Sequence, residues 1–143
     1  VTIDKKNFDK FTTELENNAR KMHTEQLVPI ISIDKEVTLK ELSLEMIENL
    51  MRLEPYGTSN KVPSFLIKNL KIDSIRTLVE RKHLKLTLQD GANVINAIGF
   101  NLGHYADEFL LGDKVDVVGM VEINEFNNTK SIQINIKDMR KSY

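Results

Sequence analysis

The chain has 143 residues, of which 41% are hydrophobic and 29% charged, and its net charge at pH 7 is −1. This composition is ordinary for a globular protein. No apolar run reaches the roughly 18 residues of a membrane-spanning helix, and none resembles the core of a signal peptide. We therefore expect neither a membrane-spanning segment nor secretion. The absence of cysteine excludes disulfides, thiol catalysis and thiolate metal sites, and it fits the reducing cytoplasm, where we expect the protein.

Charge is spread almost evenly along the chain. Residues 1–64 carry 9 Lys and Arg against 11 Asp and Glu, and residues 65–143 carry 11 against 10. Total charge therefore does not indicate a nucleic-acid binder, and any such function must depend on where individual cations lie. The first residue is not Met, which suggests a piece of a longer protein.

Residues 4–22 have apolar side chains at spacings of three and four, which predicts one face of an amphipathic helix. These side chains are Phe8, Phe11, Leu15, Ala19 and Met22. Residues 27–33 form a short apolar run that contains Pro29, which is typical of an edge strand or an extended connector. We expect residues 1–33 to be the C-terminal part of a preceding α/β domain.

Residues 38–52 return to helical spacing. Thr38 and Glu41 have the capping-box pattern, and Ser43 is a second possible helix cap. Residues 53–65 contain two prolines, a glycine and a Thr-Ser-Asn run, so the chain must change direction there. We expect residues 34–64 to be a helical connector followed by a hinge.

From residue 65 onward, apolar residues mostly alternate with polar ones, which predicts strands. The predicted strands cover residues 66–79, with a bend near 73–74, then 83–90, 94–100, 114–126 and 130–137. Asp90-Gly91 and residues 127–129 are turn signals, and a helix of about two turns is predicted over 102–111, ended by Gly112.

This order of elements predicts an α+β, mainly β protein. Five strands with one helix between the third and the fourth are typical of the OB-fold, a small five-stranded Greek-key barrel. We expect the OB-fold domain to cover residues 65–143, preceded by the helical segment of another domain. On the third strand of this barrel, Ile95, Ala97 and Gly99 should face inward and Asn96, Ile98 and Phe100 outward.

No catalytic or metal-binding residue can be assigned. His23, His83 and His104 are far apart in the sequence and lie in no metal-ligand pattern. There is also no phosphate-binding glycine loop and no nucleophile motif.

Binding of a single nucleic-acid strand is the better hypothesis. OB-folds use the face of their second and third strands and two loops, where cations hold phosphates and aromatic rings stack on bases. The candidate residues of this kind are Arg81, Lys82, His83, Lys85, Asn124, Phe126, Asn127, Lys130 and Gln133. Each also has a structural interpretation, as solvated strand face, as ordinary loop charge or, for Phe126, as a cover on the barrel end.

Residues 53–65, Leu-Glu-Pro-Tyr-Gly-Thr-Ser-Asn-Lys-Val-Pro-Ser-Phe, resemble a segment of the RecJ family of single-strand-specific DNA exonucleases, Leu-Glu-Pro-Phe-Gly-x-Gly-Asn-Pro-x-Pro-x-Phe. Ser59 replaces a glycine and Lys61 a proline of that pattern. The resemblance extends from about residue 27 to 143 and includes residues 83–90, 97–101 and 122–128, the last matching the family's Asn-Glu-Trp or Asn-Glu-Phe loop, followed by Ser-Ile-Gln at 131–133.

The resemblance implies a parent protein that is a 5′ to 3′ exonuclease of the DHH phosphoesterase superfamily. Such enzymes act on single-stranded DNA with Mn²⁺ or Mg²⁺ during recombination and repair. The family's Asp-His-His and Gly-Gly-His motifs are not in this chain, so no catalytic or metal-binding role is carried over, and the nuclease core of the parent would be an intramolecular partner.

Two other functions remain open on the sequence. The barrel could be an architectural or protein-interaction module that docks through the apolar stripe of the first helix. It could also bind RNA or tRNA, because the Leu-x-Leu-x-Leu-x-Asp-Gly hairpin occurs in many such barrels.

Overall fold

The computed structural model describes residues 3–22 and 30–143, which belong to two compact units, 1–31 and 32–143. In the first unit, a 3₁₀ turn at Lys5–Asn7 leads into helix α1, Phe8–Met22, which confirms the predicted helix. Phe8, Phe11 and Leu15 on its apolar side are exposed. Of the strand or connector predicted at 27–33, residues 27–29 lie outside the described part of the chain, and residues 30–33 form neither helix nor strand. The assignment of residues 1–33 to a preceding domain stays a prediction.

The second unit is a closed barrel of five strands, which confirms the predicted OB-fold. A two-residue strand β1, Lys35–Glu36, adds to the edge of β2. The barrel strands are β2 Phe65–Leu78, β3 His83–Asp90, β4 Asn93–Gly99, β5 Lys114–Phe126 and β6 Thr129–Lys141. Their order around the barrel is β2-β3-β4-β6-β5, and β5 returns to β2. All barrel pairings are antiparallel except β4–β6, which is parallel.

Strand β2 pairs with both β3 and β5, and two irregularities bend it between these partners. One shift of register lies between Ile72 and Ser74, which confirms the predicted bend. The other lies between Ile67 and Leu70, where Asn69 adopts a left-handed conformation with φ 59°. Bulges of this kind increase the local twist and let a small barrel close.

The single helix predicted over 38–52 is wrong, because two capping residues begin two separate elements. The Glu41 carboxylate accepts hydrogen bonds from the backbone N–H of Thr38 (2.7 Å) and from its hydroxyl (2.9 Å), closing a 3₁₀ turn at Leu39–Glu41. The chain then becomes extended at Leu42, and the Ser43 hydroxyl accepts from the Met46 N–H (3.1 Å) at the start of α2, Leu44–Met51. The break allows the side chains of Leu39, Leu42 and Ile47 all to be buried.

The helix predicted over 102–111 is also too long. Only α3, Tyr105–Glu108, is helical, because Phe109 leaves the helix in an extended conformation and buries its ring in the core. The Tyr105 hydroxyl donates to Asp138 (2.6 Å), and burial together with this hydrogen bond raises the pKa of Tyr105 to about 12. Gly112, with φ 90°, then ties the connection to β2 by donating its N–H to the Ile72 carbonyl (2.8 Å).

The barrel interior is filled by alternating aliphatic side chains from all five barrel strands. Ile95, Ala97 and Gly99 face inward, as predicted. Gly119 is required where β5 crosses β6, because a Cβ atom there would lie 2.4 Å from the Asn135 carbonyl oxygen. Val37, Leu39, Leu42 and Ile47, which precede the hinge, belong to the same buried cluster as the barrel.

A polar cluster joins the end of β6 to the irregularity of β2 at Asn69. We call it the C-terminal latch: Asn69, Asp116, Arg140 and Ser142. The buried Asp116 carboxylate accepts hydrogen bonds from the Asn69 N–H (3.1 Å), the Arg140 guanidinium (3.3 Å) and the Ser142 hydroxyl. Burial alone would raise the pKa of Asp116, but these three donors together lower it below its ordinary value.

Candidate nucleic-acid interface

Polar side chains cross the outer face of the barrel wall in rows, because residues that pair in register point to the same side of a sheet. One row runs from Thr87 on β3 through Asn96 on β4 to Gln133 on β6. In the next row, Arg76 on β2 lies directly opposite Lys85 on β3. The outer face therefore presents amides, cations and, at Glu122 opposite Gln133, a carboxylate, while the leucines of β3 fill the core.

The tip of the β5–β6 hairpin lies beside Lys85 and forms a groove with it. Phe126 and Thr129 are the last register pair of the hairpin, and Asn127 and Asn128 make a two-residue turn with φ values of 50° and 59°. Asparagine tolerates this left-handed conformation, which favours the tight turn. The resulting hairpin groove has a volume of about 520 Å³ and is lined by Lys85, Asn124, Phe126, Asn127, Thr129 and Ser131.

Phe126 is the aromatic side chain of this groove. Its side chain is 71% exposed, and it makes none of the ring–ring contacts found among the described residues. A phenyl ring that packed on the barrel end would be largely buried. The geometry therefore leaves a face of the ring available to a planar partner.

Lys85 is the cation that lines the groove, and Arg76 lies beside it on the neighbouring strand. Like charges directly across a sheet repel each other, so this pair costs stability unless an anion lies nearby. Both side chains are exposed, and within residues 3–22 and 30–143 neither has a carboxylate within ion-pair distance. The pair therefore fits an anionic ligand that is not part of the barrel.

The β2–β3 loop carries Arg81 and Lys82 in a tightly constrained conformation. Val79, Glu80 and Arg81 all have φ between 49° and 66°, a backbone region that residues other than glycine rarely adopt. Gly103 holds the loop in place: its N–H donates to the Lys82 carbonyl (3.1 Å), and a Cβ atom on it would overlap the Arg81 carbonyl. The Arg81 guanidinium forms an exposed ion pair with Asp107.

His83 begins β3 on the same face as Lys85 but is part of a separate contact. Its Nδ1 accepts a hydrogen bond from the Asn101 N–H (3.1 Å). The imidazole packs edge-on against Phe100, with ring centroids 5.3 Å apart and an interplanar angle of 73°. Phe100 remains 51% exposed, so this pair is a second aromatic surface, next to the start of β3.

The structure thus brings some of the predicted residues together and separates others. Lys85, Asn124, Phe126 and Asn127 line the hairpin groove, and Gln133 lies on the same outer face, where its amide donates to Glu122 (3.1 Å). Arg81, Lys82 and His83 lie around the start of β3. Lys130 does not share the groove, because its ammonium lies 3.8 Å from the Glu48 carboxylate of α2.

Sequence reasoning missed Arg76, Thr129 and Ser131. Arg76 could not be assigned because its position opposite Lys85 depends on the bulge in β2. The two hydroxyl residues could have been found, since a hairpin centred on Asn127 and Asn128 places Thr129 opposite Phe126 and Ser131 opposite Asn124.

Metal chemistry has no support from the residues that the structure describes. Across 3–22 and 30–143, no three His, Asp or Glu side chains are grouped closely enough to hold a metal ion. A catalytic Mn²⁺ or Mg²⁺ ion therefore does not fit these residues. In the same part of the chain, no helix is both long and apolar enough to cross a membrane.

Comparison with known families assigns the barrel. The family model described as the RecJ OB domain matches residues 33–138. This chain belongs to the RecJ OB domain family. The match covers the hairpin groove, the β2–β3 loop and part of the C-terminal latch, so all candidate binding residues lie within the RecJ OB domain.

A curated relative and two crystal structures are similar to this RecJ OB domain. The single-stranded-DNA-specific exonuclease RecJ of Bacillus subtilis is 30% identical over 115 residues, which are 80% of this chain and 15% of that protein. The structure of RecJ from Thermus thermophilus with Mn²⁺ matches 99% of this chain and 20% of that one, with a TM-score of 0.78 and 24% identity. The structure of RecJ from the same organism with Mg²⁺ matches 99% of this chain and 21% of that one, with a TM-score of 0.72 and 23% identity. The chain therefore spans about a fifth or less of these relatives, and the crystal structures support its fold.

Proposed function

We propose that this RecJ OB domain binds single-stranded DNA in the hairpin groove and guides it to a nuclease site elsewhere in the same protein. The observation that carries the proposal is the meeting of an exposed ring, two amides and a cation in one groove: Phe126, Asn124, Asn127 and Lys85. These groups suit an unpaired strand, because aromatic faces stack on bases of any sequence and cations hold the backbone.

Stacking should fix the bases. Phe126 is held at the tip of a paired hairpin rather than on a free loop, so little conformational entropy is lost when a base covers it. The asparagine amides beside it can donate to phosphate or base edges and can accept from bases. The binding that results is tolerant of sequence.

Charge should fix the backbone. Arg76 and Lys85 repel each other across β2 and β3, and a phosphate between them would remove that cost. Lys82 and the ion-paired Arg81 lie where β3 begins and extend the positive path. If three cations each neutralise one phosphate, affinity should fall about 20-fold between 50 and 200 mM salt.

The relatives support a proposal for the role in the whole protein. The Bacillus subtilis relative is a single-stranded-DNA-specific exonuclease, and we propose the same activity for the parent of this chain, with Mn²⁺ or Mg²⁺ bound outside the residues described. The nuclease core would be the intramolecular partner of the barrel. DNA recombination and repair in the cytoplasm is the setting that this activity suggests.

Fluorescence anisotropy with labelled oligo-dT at 50 and 200 mM salt tests the proposal. We expect binding at low salt that weakens steeply at high salt, with oligo-dA and oligo-dC bound about as well. Absence of binding at 50 mM salt contradicts the proposal. Competition with single-stranded RNA of the same sequence tests the RNA-binding alternative, which predicts that RNA displaces DNA.

One observation favours a second candidate, a protein-docking barrel. A mostly apolar cleft of about 260 Å³ lies between α2, the hinge and β5, with Ile47, Leu50, Tyr56, Phe65 and Ile123 among its lining residues. Met51, which also lines it, is 48% exposed. Co-purification of this unit with the separately expressed nuclease core, abolished by Met51→Asp but unaffected by Phe126→Ala, would support docking there.

A further inference from the structure

A second groove lies at the opposite end of β3 from the β2–β3 loop. It has a volume of about 320 Å³ and is lined by Asn69, Lys71, Gln89, Asp90, Gly91 and Lys114. We call it the lysine groove. It shares no lining residue with the hairpin groove. Its two lysines lie on β2 and β5, outside the loops and the pair of strands on which OB-folds usually hold a strand, while Gln89 and Asp90 belong to β3.

The register of the sheet brings two lysines together in this groove. Lys71 on β2 pairs with Lys114 on β5 on one side and with Gln89 on β3 on the other. Directly paired residues have Cα atoms about 4.5 to 5.5 Å apart and side chains on the same face, so both ammonium groups can reach one anion. Without an anion, the pair is repulsive.

The acidic groups nearby do not neutralise these lysines. Asp113, next to Lys114 in the chain, accepts from the Leu110 N–H (3.0 Å) and lies 3.5 Å from the Lys141 ammonium. Asp90 lines the groove, but in the described part of the chain its carboxylate makes no ion pair with either lysine. The groove therefore keeps an excess of positive charge.

Gln89 adds a neutral donor between the cations and the turn. Its side-chain amide donates one N–H to the Gly91 carbonyl (2.8 Å), which fixes the orientation of the side chain and leaves the second N–H for a ligand. Two ammonium groups and an oriented amide are the donors that a phosphate group prefers. A carboxylate or an apolar ligand would use them less fully.

The lysine groove and the hairpin groove each have a lining residue on β3. Lys85 and Gln89 are four residues apart on β3 and on the same face, which corresponds to about 13 Å. Thr87 and Ser74, which pair between them, are uncharged and polar, and Asp73 lies in the bulge of β2, outside the register with β3. A bound single strand can therefore continue along β3 from one groove to the other over one polar, uncharged pair.

We infer that the lysine groove is a second phosphate-binding subsite, which takes a backbone phosphate of a single strand whose bases lie in the hairpin groove. This inference rests on the proposed function, because it needs a strand bound at the hairpin groove. It adds a contact that carries no sequence information and lengthens the bound segment along β3.

The test compares two double variants in anisotropy titrations with an oligo-dT of about 12 nucleotides, a length within the range that one OB-fold covers. Lys71→Gln with Lys114→Gln removes the subsite. Lys35→Gln with Lys40→Gln removes the same charge from exposed positions that line neither groove. All four substitutions are at the surface, and thermal unfolding checks that both proteins are folded.

We expect the first double variant to bind about tenfold more weakly at 50 mM salt and its slope of log affinity against log salt to fall by about 1.4. The control should match the wild type. If the first variant binds like the control, the inference is wrong and the proposed function stands. If the wild type does not bind at all, the proposed function fails and the inference fails with it.

Neutral methylphosphonate linkages identify the group that the lysines hold. Two oligonucleotides are used, one modified at the 5′ end and one at the 3′ end. One of them should bind the wild type and the Lys71→Gln, Lys114→Gln variant equally, because it no longer presents a charge to the groove. A difference that persists with both modified oligonucleotides would overturn the inference.

Discussion

The hairpin groove and the C-terminal latch are both polar clusters on the wall of one barrel, but they treat charge in opposite ways. In the latch, the buried carboxylate of Asp116 has a charged partner and two further donors. At the groove, the lining residue Lys85 lies directly opposite Arg76 of the neighbouring strand, so a cation faces another cation. The latch satisfies its polar groups within the fold, and the groove leaves them for a ligand.

This difference indicates which polar residues maintain the fold and which serve binding. A buried charge must be paired, so losing a latch residue should cost stability. An exposed cation opposite another cation slightly destabilises the free protein, and a bound phosphate relieves the repulsion in the complex. Substitutions should therefore separate into two classes, with unfolding free energy and DNA affinity changing independently.

Asp116→Ala should have the largest effect. It leaves the Ser142 hydroxyl without its acceptor, leaves the Asn69 N–H with only the Ser142 oxygen (3.2 Å), and removes the partner of Arg140, so we expect about 3 kcal/mol of lost unfolding free energy in urea titrations. Asp116→Asn retains one acceptor oxygen and should lose less. Affinity for oligo-dT, corrected for the folded fraction, should be unchanged in both variants.

Acid should reproduce part of this loss in the wild type. The folded-state pKa of Asp116 is lowered because its three donors outweigh burial, so its stabilising contribution is complete above the unfolded-state pKa of about 4 and disappears as the pH falls through the folded-state value. Unfolding free energy should decrease more steeply below pH 4 in the wild type than in Asp116→Asn. Parallel curves would show that the latch carboxylate is not responsible.

Phe126→Ala should weaken binding of oligo-dT by about 1 to 3 kcal/mol, the usual contribution of one stacked base. Its unfolding free energy should change by less than about 0.5 kcal/mol, because the ring is exposed. Phe126→Trp is the matched control and should keep or improve the affinity. A large loss of stability with unchanged affinity would mean that Phe126 packs on the barrel.

Arg76→Gln combined with Lys85→Gln should come next, with affinity reduced about tenfold at 50 mM salt and a salt slope smaller by about 1.4. Removing the repulsion between the two side chains should leave the unfolding free energy unchanged or slightly higher. Thermal unfolding and anisotropy on the same preparations measure both quantities. A clear drop in stability would show that the pair has a structural role.

Asp107→Asn should have the smallest effect and the opposite sign. It releases Arg81 from an exposed ion pair, so the binding free energy for oligo-dT at low salt should become more favourable by less than about 1 kcal/mol. Glu36→Gln breaks the exposed pair with Lys68 and serves as a control of equal charge. An equal gain in both variants would indicate a general effect of net charge rather than the release of Arg81.

Much of the fold could be predicted because local patterns decide it. The alternation of residues 83–90, the turn at Asp90-Gly91 and the inward positions of Ile95, Ala97 and Gly99 all follow from the period of a strand. The helices predicted over 38–52 and 102–111 were predicted less well than α1. Periodicity alone does not show that Leu42 becomes extended or that Phe109 leaves its helix to fill the core.

The candidate site could be predicted only as far as one strand or one turn specifies it. Phe126 and its neighbouring asparagines are adjacent in sequence, so they were found together. The position of Arg76 opposite Lys85 depends on a bulge, and that of Lys130 beside Glu48 depends on how α2 packs, which a single sequence does not report. The separation of the predicted cations is a consequence of tertiary structure.

The parallel pairing of β4 with β6 closes the barrel through only three register pairs, from Asn96 with Gln133 to Ile98 with Asn135. One of these pairs, Asn96 with Gln133, also supplies amides of the outer face. Local opening of this seam would move the two halves of the binding surface apart. A DNA strand bound across the seam would therefore hold β4 and β6 together. By linkage, the ligand should slow the breathing of the barrel at its shortest junction, and a looser junction should bind more weakly.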